Sequence, residues 1–454
     1  MQKTDFWAQG KQTAYPVLRG RRSADAVVVG GGLSGLTIAL WLCKAGLRVT
    51  LLEARTLGSG ATACCGGRVS LTNGLFYERL ERMLGQGATN AYAQTQQGAF
   101  RALAEWVREQ GEAALWLDQD MNLLGGAGKE TALLEKEAEA MNRAGVACVC
   151  AQATQSPLPA SACILLKDMA VLQPTAHVRL LARKAEALGL VIFEQSRVTA
   201  LETNQAYTEH GSILAPYVIV ATGYPVVNTP GRYFLRLVQR QSYLMKLTDC
   251  VGFHGMYGGL NGEYALSKCK GGALFQLNDG LVGTQQSENV EKRFMSQFAA
   301  YLECGEPTQV SGGIEAYSAD GLPYIGTYSK NTPNLFVAAG YGGRGLLGSM
   351  AAAQAICAKV LGLPSEEYEI YSGQRKQKRV LYAQARVSAH LGARYIRGFL
   401  RPQAPRCPHL GCKLVYRPKA RLWECPCHGS RFDDIGHVLN APAVHDAVIH
   451  RRKG

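Results

Sequence analysis

Apolar and polar positions change rhythm along this chain, and the first change comes early. Ala26-Val27-Val28-Val29 is an unbroken apolar run after Asp25, the pattern of a strand buried on both faces. A glycine-rich turn follows, then an apolar helix through Leu42 to about Ala45, and a second strand, Arg48-Val49-Thr50-Leu51-Leu52. Helical periodicity returns at Ala91–Gln110, at Lys129–Arg143 and from Gln173-Pro174 through Leu188. Leu190–Phe193 and Val198–Leu201 read as strands, and Tyr217–Ala221 is an apolar strand running into Thr222-Gly223. Residues 232–310 mix strand-like and glycine-rich pieces and predict a sheet. The segment Asn334–Gly340 precedes a glycine-dense turn, Tyr341 to Gly345, and a small-residue helix over about Leu346–Val360; a last helix is expected around Val387–Ile396. Strands alternating with helices predict an α/β fold. No repeat or low-complexity tract interrupts it.

With 454 residues the chain accommodates two to four structural units. Its formal charge of +14 is unevenly placed: 17 Lys/Arg stand against 4 Asp/Glu from residue 372 onward, leaving 32 against 31 in the rest. A basic end of this kind suits an acidic redox carrier, an anionic membrane or nucleic acid, or is simply a solvated face. No nucleic-acid motif accompanies it, which ranks that partner low. The N-terminus lacks a charged-then-apolar leader and no apolar stretch is long enough to span a bilayer, so cytoplasm is the expected compartment. Ten of the 14 cysteines, at 43, 64, 65, 148, 150, 163, 250, 269, 304 and 357, sit mostly in apolar or helical contexts and read as reduced core residues. The adjacent Cys64-Cys65 reads either as packing or as a vicinal redox pair.

Two motifs carry chemistry. Gly30-Gly31-Gly32-Leu33-Ser34-Gly35 is a G-x-G-x-x-G turn between a strand and a helix, and Glu53 ends the next strand eighteen positions past Gly35. Glycines admit a pyrophosphate to the backbone, the helix N-terminus attracts its charge, and the carboxylate takes a ribose hydroxyl. The second motif joins Cys407-Pro408-His409-Leu410-Gly411-Cys412 to Cys425-Pro426-Cys427-His428-Gly429-Ser430. Cys-x-His, fifteen intervening residues and Cys-x-x-His give two thiolates and two imidazoles. That donor set suits a Rieske [2Fe–2S] centre, and by spacing alone also a zinc site.

Both boxes, with their additional cysteines, resemble Rieske proteins. The resemblance implies Cys407, His409, Cys425 and His428 as iron ligands, a Cys412–Cys427 disulfide, and Ser430 donating to a bridging sulfide, unless it merely caps a turn. Where such proteins often carry a Tyr, this chain has Phe432, so an intermediate potential is expected. Residues 24–365 resemble the FAD-dependent D-amino-acid and glycine oxidase superfamily. The resemblance rests on the fingerprint, Ala221-Thr222-Gly223, the segment Asp320-Gly321-Leu322-Pro323-Tyr324-Ile325-Gly326 and the Gly342–Gly345 turn. It implies a Rossmann-like FAD-binding domain, an α+β substrate domain with an antiparallel sheet, and a small all-β Rieske module. The expected boundaries are an N-terminal extension at 1–23, a flavoprotein domain at 24–371, a basic helical linker at 372–403 and a short Rieske domain at 404–454. Within the flavoprotein, 24–88, 172–231 and 311–365 would bind FAD, and 89–171 and 232–310 would face substrate.

Position by position, the resemblance implies Gly30, Gly32, Ser34 and Gly35 at the pyrophosphate, Glu53 at the ribose, Val198 at the adenine, Thr222 and Gly223 beside the cofactor, and Gly343, Arg344, Gly345 and Leu346 at the flavin. Val198 also reads as plain strand core, and the Gly343–Gly345 turn as a simple helix start. Catalytic candidates are Arg344, Arg68 and Tyr341. Glu315 stands where amino-acid oxidases often have Arg, which weakens the case for a carboxylate grip there. The expected activity is a dehydrogenase taking a small amine or amino-acid-like substrate, with the cluster passing electrons to an acidic ferredoxin or flavodoxin. A redox-sensing scaffold and an inward-running reductase are the alternatives. The cluster-binding loops are expected to rest on the flavoprotein body or on a small hairpin, Arg375–Arg379 to begin the linker, and Arg386, Arg394, Arg397 and Arg401 to continue a basic surface.

Overall fold

The computed structural model describes residues 14–112, 115–226, 230–248, 250, 252–283, 289–376, 378–399, 404–418 and 420–449. Six strands form a central sheet in the order Tyr324–Ser329, Thr332–Ala339, Tyr217–Gly223, Ala26–Val29, Val49–Leu52, Val191–Phe193. Every neighbouring pair is parallel except the first. The apolar run Ala26–Val29 lies at its middle, buried throughout. Helix Leu33–Lys44 is apolar nearly all round because it is enclosed between this sheet and helices Gly345–Val360 and Pro174–Glu186.

A nine-stranded sheet forms the second layer, ordered Gln309–Ser318, Leu237–Leu247, Gly272–Leu281, Tyr264–Cys269, Met256–Gly259, Trp116–Gly125, Ala162–Leu172, Arg68–Val69, with Val149–Gln152 on the flank of Ala162–Leu172. Its pairs are antiparallel except Met256–Gly259 with Trp116–Gly125. The strand Gln309–Ser318 therefore sits in this sheet, across the boundary expected at residue 311. The expected N-terminal extension is also partly folded: Gly20–Ser23 pairs in parallel with Gly211–Leu214, and Leu18 is fully buried. Its strand is too polar and exposed to announce itself in sequence.

Helix Lys378–Phe399 leads into a four-stranded antiparallel sheet, Val415–Arg417, Leu422–Glu424, Arg431–Phe432, Val438–Asn440. The small module rests on the body formed by the two larger sheets. Arg394 Nη1 donates to the carbonyls of Val282 (2.7 Å) and Pro426 (2.9 Å), Arg431 Nη2 to Gln241 Oε1 (2.7 Å), and Gly283 N to Glu424 Oε1 (3.1 Å). Arg375 is a correction to the expected linker. It is buried, donating Nε and Nη2 to Asp320 at 2.5 and 2.8 Å and further bonds to the carbonyls of Leu322 and Pro323. Arg394, too, is an internal clamp and not open basic surface, whereas Arg379 and Arg386 are exposed. Arg401 and the side chain of Arg397 lie outside the described residues. Among the described residues, no helix is long and apolar enough to cross a membrane.

Candidate dinucleotide and metal centres

A cavity opens at the C-terminal ends of the central strands, where an α/β sheet presents its ligand site. Gly30, Gly32, Ser34, Glu53, Val198, Thr222, Gly223, Gly343 and Gly345 all line it. Glycine is required at two positions. A Cβ on Gly30 would stand 2.6 Å from the Ala221 carbonyl, with φ at +110°, and one on Gly35 would stand 1.8 Å from the Gly30 carbonyl. Glu53 is held by its own turn, Oε2 accepting the Gly31 N–H and Oε1 the Arg55 N–H, both at 2.8 Å. Gly35 and Leu346 are buried behind the lining. Glycine-lined walls, a helix N-terminus and a fixed carboxylate fit the diphosphate and ribose of FAD.

The three catalytic candidates separate. Tyr341 lines the cavity, its hydroxyl 2.5 Å from Ser34 Oγ, and burial raises its pKa so that it stays a neutral phenol. Arg344 turns away. Its guanidinium lies over the Phe76 ring at 3.9 Å and donates to the Gly321 carbonyl at 3.2 Å. Arg68 donates to Asn73 Oδ1 at 3.0 Å and stands behind the lining. Glu315, noted above only as a departure, lines the cavity at this end with its carboxylate, and the Tyr317 hydroxyl donates to it at 3.3 Å. Burial raises the Glu315 pKa and the nearby Arg68 charge opposes the rise. Cys65 also lines the cavity, with burial pushing its thiol up to about 11, while Cys64 packs against Ser311 and Gly313. The pair is not bridged. A separate cleft on the nine-stranded sheet, lined by Trp116, Asp118, Lys246 and His254 among others, contains none of the motif residues.

The Cys/His boxes fold into two facing turns. Gly411 N donates to the Cys407 carbonyl at 2.8 Å, Gly429 N to that of Cys425 at 3.0 Å, and the turns bring the sulfurs together. The Sγ atoms of Cys412, Cys425 and Cys427 lie within 4.8 Å of one another, and Cys407 and Cys425 face each other within hydrogen-bond reach. The rings of His409 and His428 stand 5.0 Å apart. His428 is 6% exposed, and among the described residues neither of its ring nitrogens has a partner at ordinary hydrogen-bond geometry. Burial lowers the pKa of His409 to about 3 and of His428 to about 4, which keeps both imidazoles neutral, the form that binds metal. A facing pair of buried sulfurs and a facing pair of unprotonated imidazoles, carried on the same two turns, supply the donor set of a Rieske cluster. Cys412 and Cys427 are adjacent as thiols, not joined, so the implied disulfide is not formed in this structure. Ser430 is fully buried, accepts the Ala443 N–H at 3.0 Å and stands within hydrogen-bond reach of Cys407.

Residues outside any motif join the two centres. Phe234 stands edge-on to both imidazoles, its ring 6.0 Å from His409 and 5.8 Å from His428. Tyr224, ten positions earlier, lines the dinucleotide cavity and has a buried hydroxyl without a hydrogen-bond partner among the described residues. From the Rieske module, Leu439, Asn440, Ala441 and Val444 line the same cavity. No local pattern marks any of these, because their positions depend on how the modules dock.

Comparison with known proteins agrees with this arrangement. Residues 25–359 match the FAD dependent oxidoreductase family (DAO), and residues 365–450 the Rieske [2Fe-2S] domain. A Bacillus subtilis (strain 168) protein named as a Rieske 2Fe-2S iron-sulfur protein is 23% identical, over 95% of this chain and 94% of its own. Glycine oxidase of Bacillus licheniformis is 24% identical, over 79% of this chain and 99% of its own. The structure of glycine oxidase from Geobacillus kaustophilus superposes with a TM-score of 0.66 at 20% identity, covering 78% of this chain and 99% of that one. L-proline dehydrogenase from P. horikoshii gives 0.65 at 20% identity, covering 79% and 98%.

Proposed function

We propose that this chain, which belongs to the FAD dependent oxidoreductase family and carries a C-terminal Rieske [2Fe-2S] domain, is a dehydrogenase for a small amine or amino-acid-like substrate that passes electrons through the cluster to an external carrier. When bound, FAD supplies acceptance of a two-electron hydride at N5, and the Rieske cluster supplies one-electron transfer.

The observation that carries the reading is the shared segment between the centres. Tyr224 lines the cavity, and Phe234 touches both ligand imidazoles. The imidazole of His428 is buried, and Phe234 from the flavoprotein body packs edge-on against it. At the Gly343 end of that site, Glu315 offers a carboxylate suited to holding an ammonium group or taking its proton, and Tyr317 and Arg68 fix its surroundings. Glycine oxidase and L-proline dehydrogenase, whose folds this chain shares, act on amino acids, which supports the substrate class. Exposed Arg379, Arg386, Arg406 and Arg421 support an acidic carrier such as a ferredoxin or flavodoxin.

The test is anaerobic titration of the purified protein with glycine, L-proline, other small amines and NAD(P)H, following flavin absorbance and the EPR of the reduced cluster together. One amine that bleaches the flavin while the cluster signal grows is the expected result. Cluster reduction by a reduced ferredoxin that then bleaches the flavin, with no amine effective, would reverse the direction of flow. A flavin that nothing reduces would leave the sensing role.

A further inference from the structure

The Rieske module does more than lie beside the dinucleotide cavity. Its last strand and the turn after it, Val438 to Val444, close one side of it. The contacts are specific. Arg55 Nη1 donates to the Leu439 carbonyl (3.3 Å), Arg197 Nη2 to the Val438 carbonyl (3.2 Å), and Gln239 Nε2 to the Ala441 carbonyl (3.0 Å). Asn440 Nδ2 returns a bond to Gln239 Oε1 at 3.1 Å. Arg55, Arg197 and Gln239 themselves line the cavity, so the atoms that hold the module are the atoms that shape the site.

The place of closure follows from neighbours. Arg55 is two residues past Glu53, and Arg197 precedes Val198, the two positions matched to ribose and adenine; the flavin end is marked instead by Cys65, Glu315 and Gly343. The Arg197 charge is disfavoured by its own burial and by the neighbouring Arg55 charge, and Glu53 of the flavoprotein and Asp446 of the Rieske module both act to offset this.

We infer that the Rieske module is a structural part of the FAD-binding site, covering the adenosine side, so that FAD binding and module docking stabilise each other. This rests on the reading of the cavity as the FAD site. Linkage makes the coupling reciprocal: whatever FAD contributes to docking, docking contributes to FAD affinity. The cluster would then be held at a fixed position relative to the flavin for as long as FAD stays bound.

Amide hydrogen exchange of the deflavinated, full-length protein, measured with and without FAD, tests the inference. FAD is expected to slow exchange at 438–444 as well as at 30–35 and 53–58. Protection confined to the latter segments would overturn the inference while leaving the cavity assignment intact. No protection in any of them would overturn the cavity assignment and the inference with it. A second measurement uses Arg394, which clamps the module from outside the cavity. Arg394→Ala is expected to release FAD about tenfold faster, with the cluster EPR signal unchanged as a check on folding. An unchanged release rate with an intact cluster would also overturn the inference.

Discussion

Gly35 has less room than any other glycine of the fingerprint. A single added methyl would overlap the Gly30 carbonyl, so strand end and helix start would have to separate where a diphosphate is to be held. Gly35→Ala is therefore expected to lower FAD affinity at least tenfold, an effect of about 1.4 kcal/mol or more, while leaving iron content unchanged; flavin release and iron analysis on one preparation check both. Tyr224 makes the complementary case. Its hydroxyl is buried, unpartnered among the described residues and near enough to Cys425 that a thiolate charge there adds to the effect of burial in raising its pKa. Phe432 leaves the Rieske module without the hydroxyl that the corresponding Tyr supplies elsewhere, and the Tyr224 hydroxyl, on the flavoprotein side, is close enough to feel the charge at Cys425 without hydrogen-bonding to it. Tyr224→Phe is expected to lower the cluster's midpoint potential in an EPR redox titration, since a donor near a ligand sulfur stabilises the reduced cluster. An unchanged potential would remove that role. The motif residues were legible because chemistry fixes their spacing; Tyr224 was not, since an aromatic after a strand looks like any core residue.

At the scale of elements, regular periodicity was read well and function-bearing strands poorly. Helix Lys129–Arg143 has the predicted bounds because its side chains answer to one buried face, and strand Tyr217–Gly223 was legible because its apolar run is buried on both faces. Trp116–Gly125 and Gln309–Ser318 escaped notice, as strands with polar residues or glycines toward a cleft or cavity lose the alternation that marks a half-buried sheet. The Asp320–Arg375 pair joins two distant elements, the turn before Tyr324–Ser329 and the approach to helix Lys378–Phe399. Both side chains are almost fully buried. Asp320→Asn would leave a buried guanidinium without its counter-charge and is expected to cost about 3–5 kcal/mol. Urea unfolding measures the loss, and a cost near zero would mean that the carbonyls around Arg375 suffice.

At the scale of the whole molecule, one buried carboxylate ties strands of the small module to the body it rests on. Glu424 is fully buried, paired with Arg417 and Arg431 at 2.8 Å each, and accepts the Gly283 N–H from the flavoprotein body. Burial raises its pKa, but the two arginines outweigh it and the net displacement is downward. A lowered folded pKa contributes stability that is present above the unfolded value of about 4.3 and is lost as pH falls from there through the folded value. Cluster retention, followed by visible circular dichroism, is expected to decline in that acidic window. Glu424→Gln is expected to show the looser cluster already at neutral pH and a flatter acid limb; an unaltered profile would assign the acid sensitivity to other groups.

The amino-acid sequence by itself determined the two cofactors and supplied most of the residues proposed to hold them. The G-x-G-x-x-G turn with Glu53 and the paired Cys/His boxes are local arrangements whose geometry is set within a few residues of backbone, and such arrangements survive in one dimension. Tertiary structure decided what those centres face. It turned Arg344 onto Phe76 and away from the cavity, brought Glu315 in, buried Arg375, and laid Leu439–Val444 over the dinucleotide site. The physical reason is common to all four. Each depends on contacts between segments far apart in the chain, where packing and charge pairing, not local spacing, choose the partner.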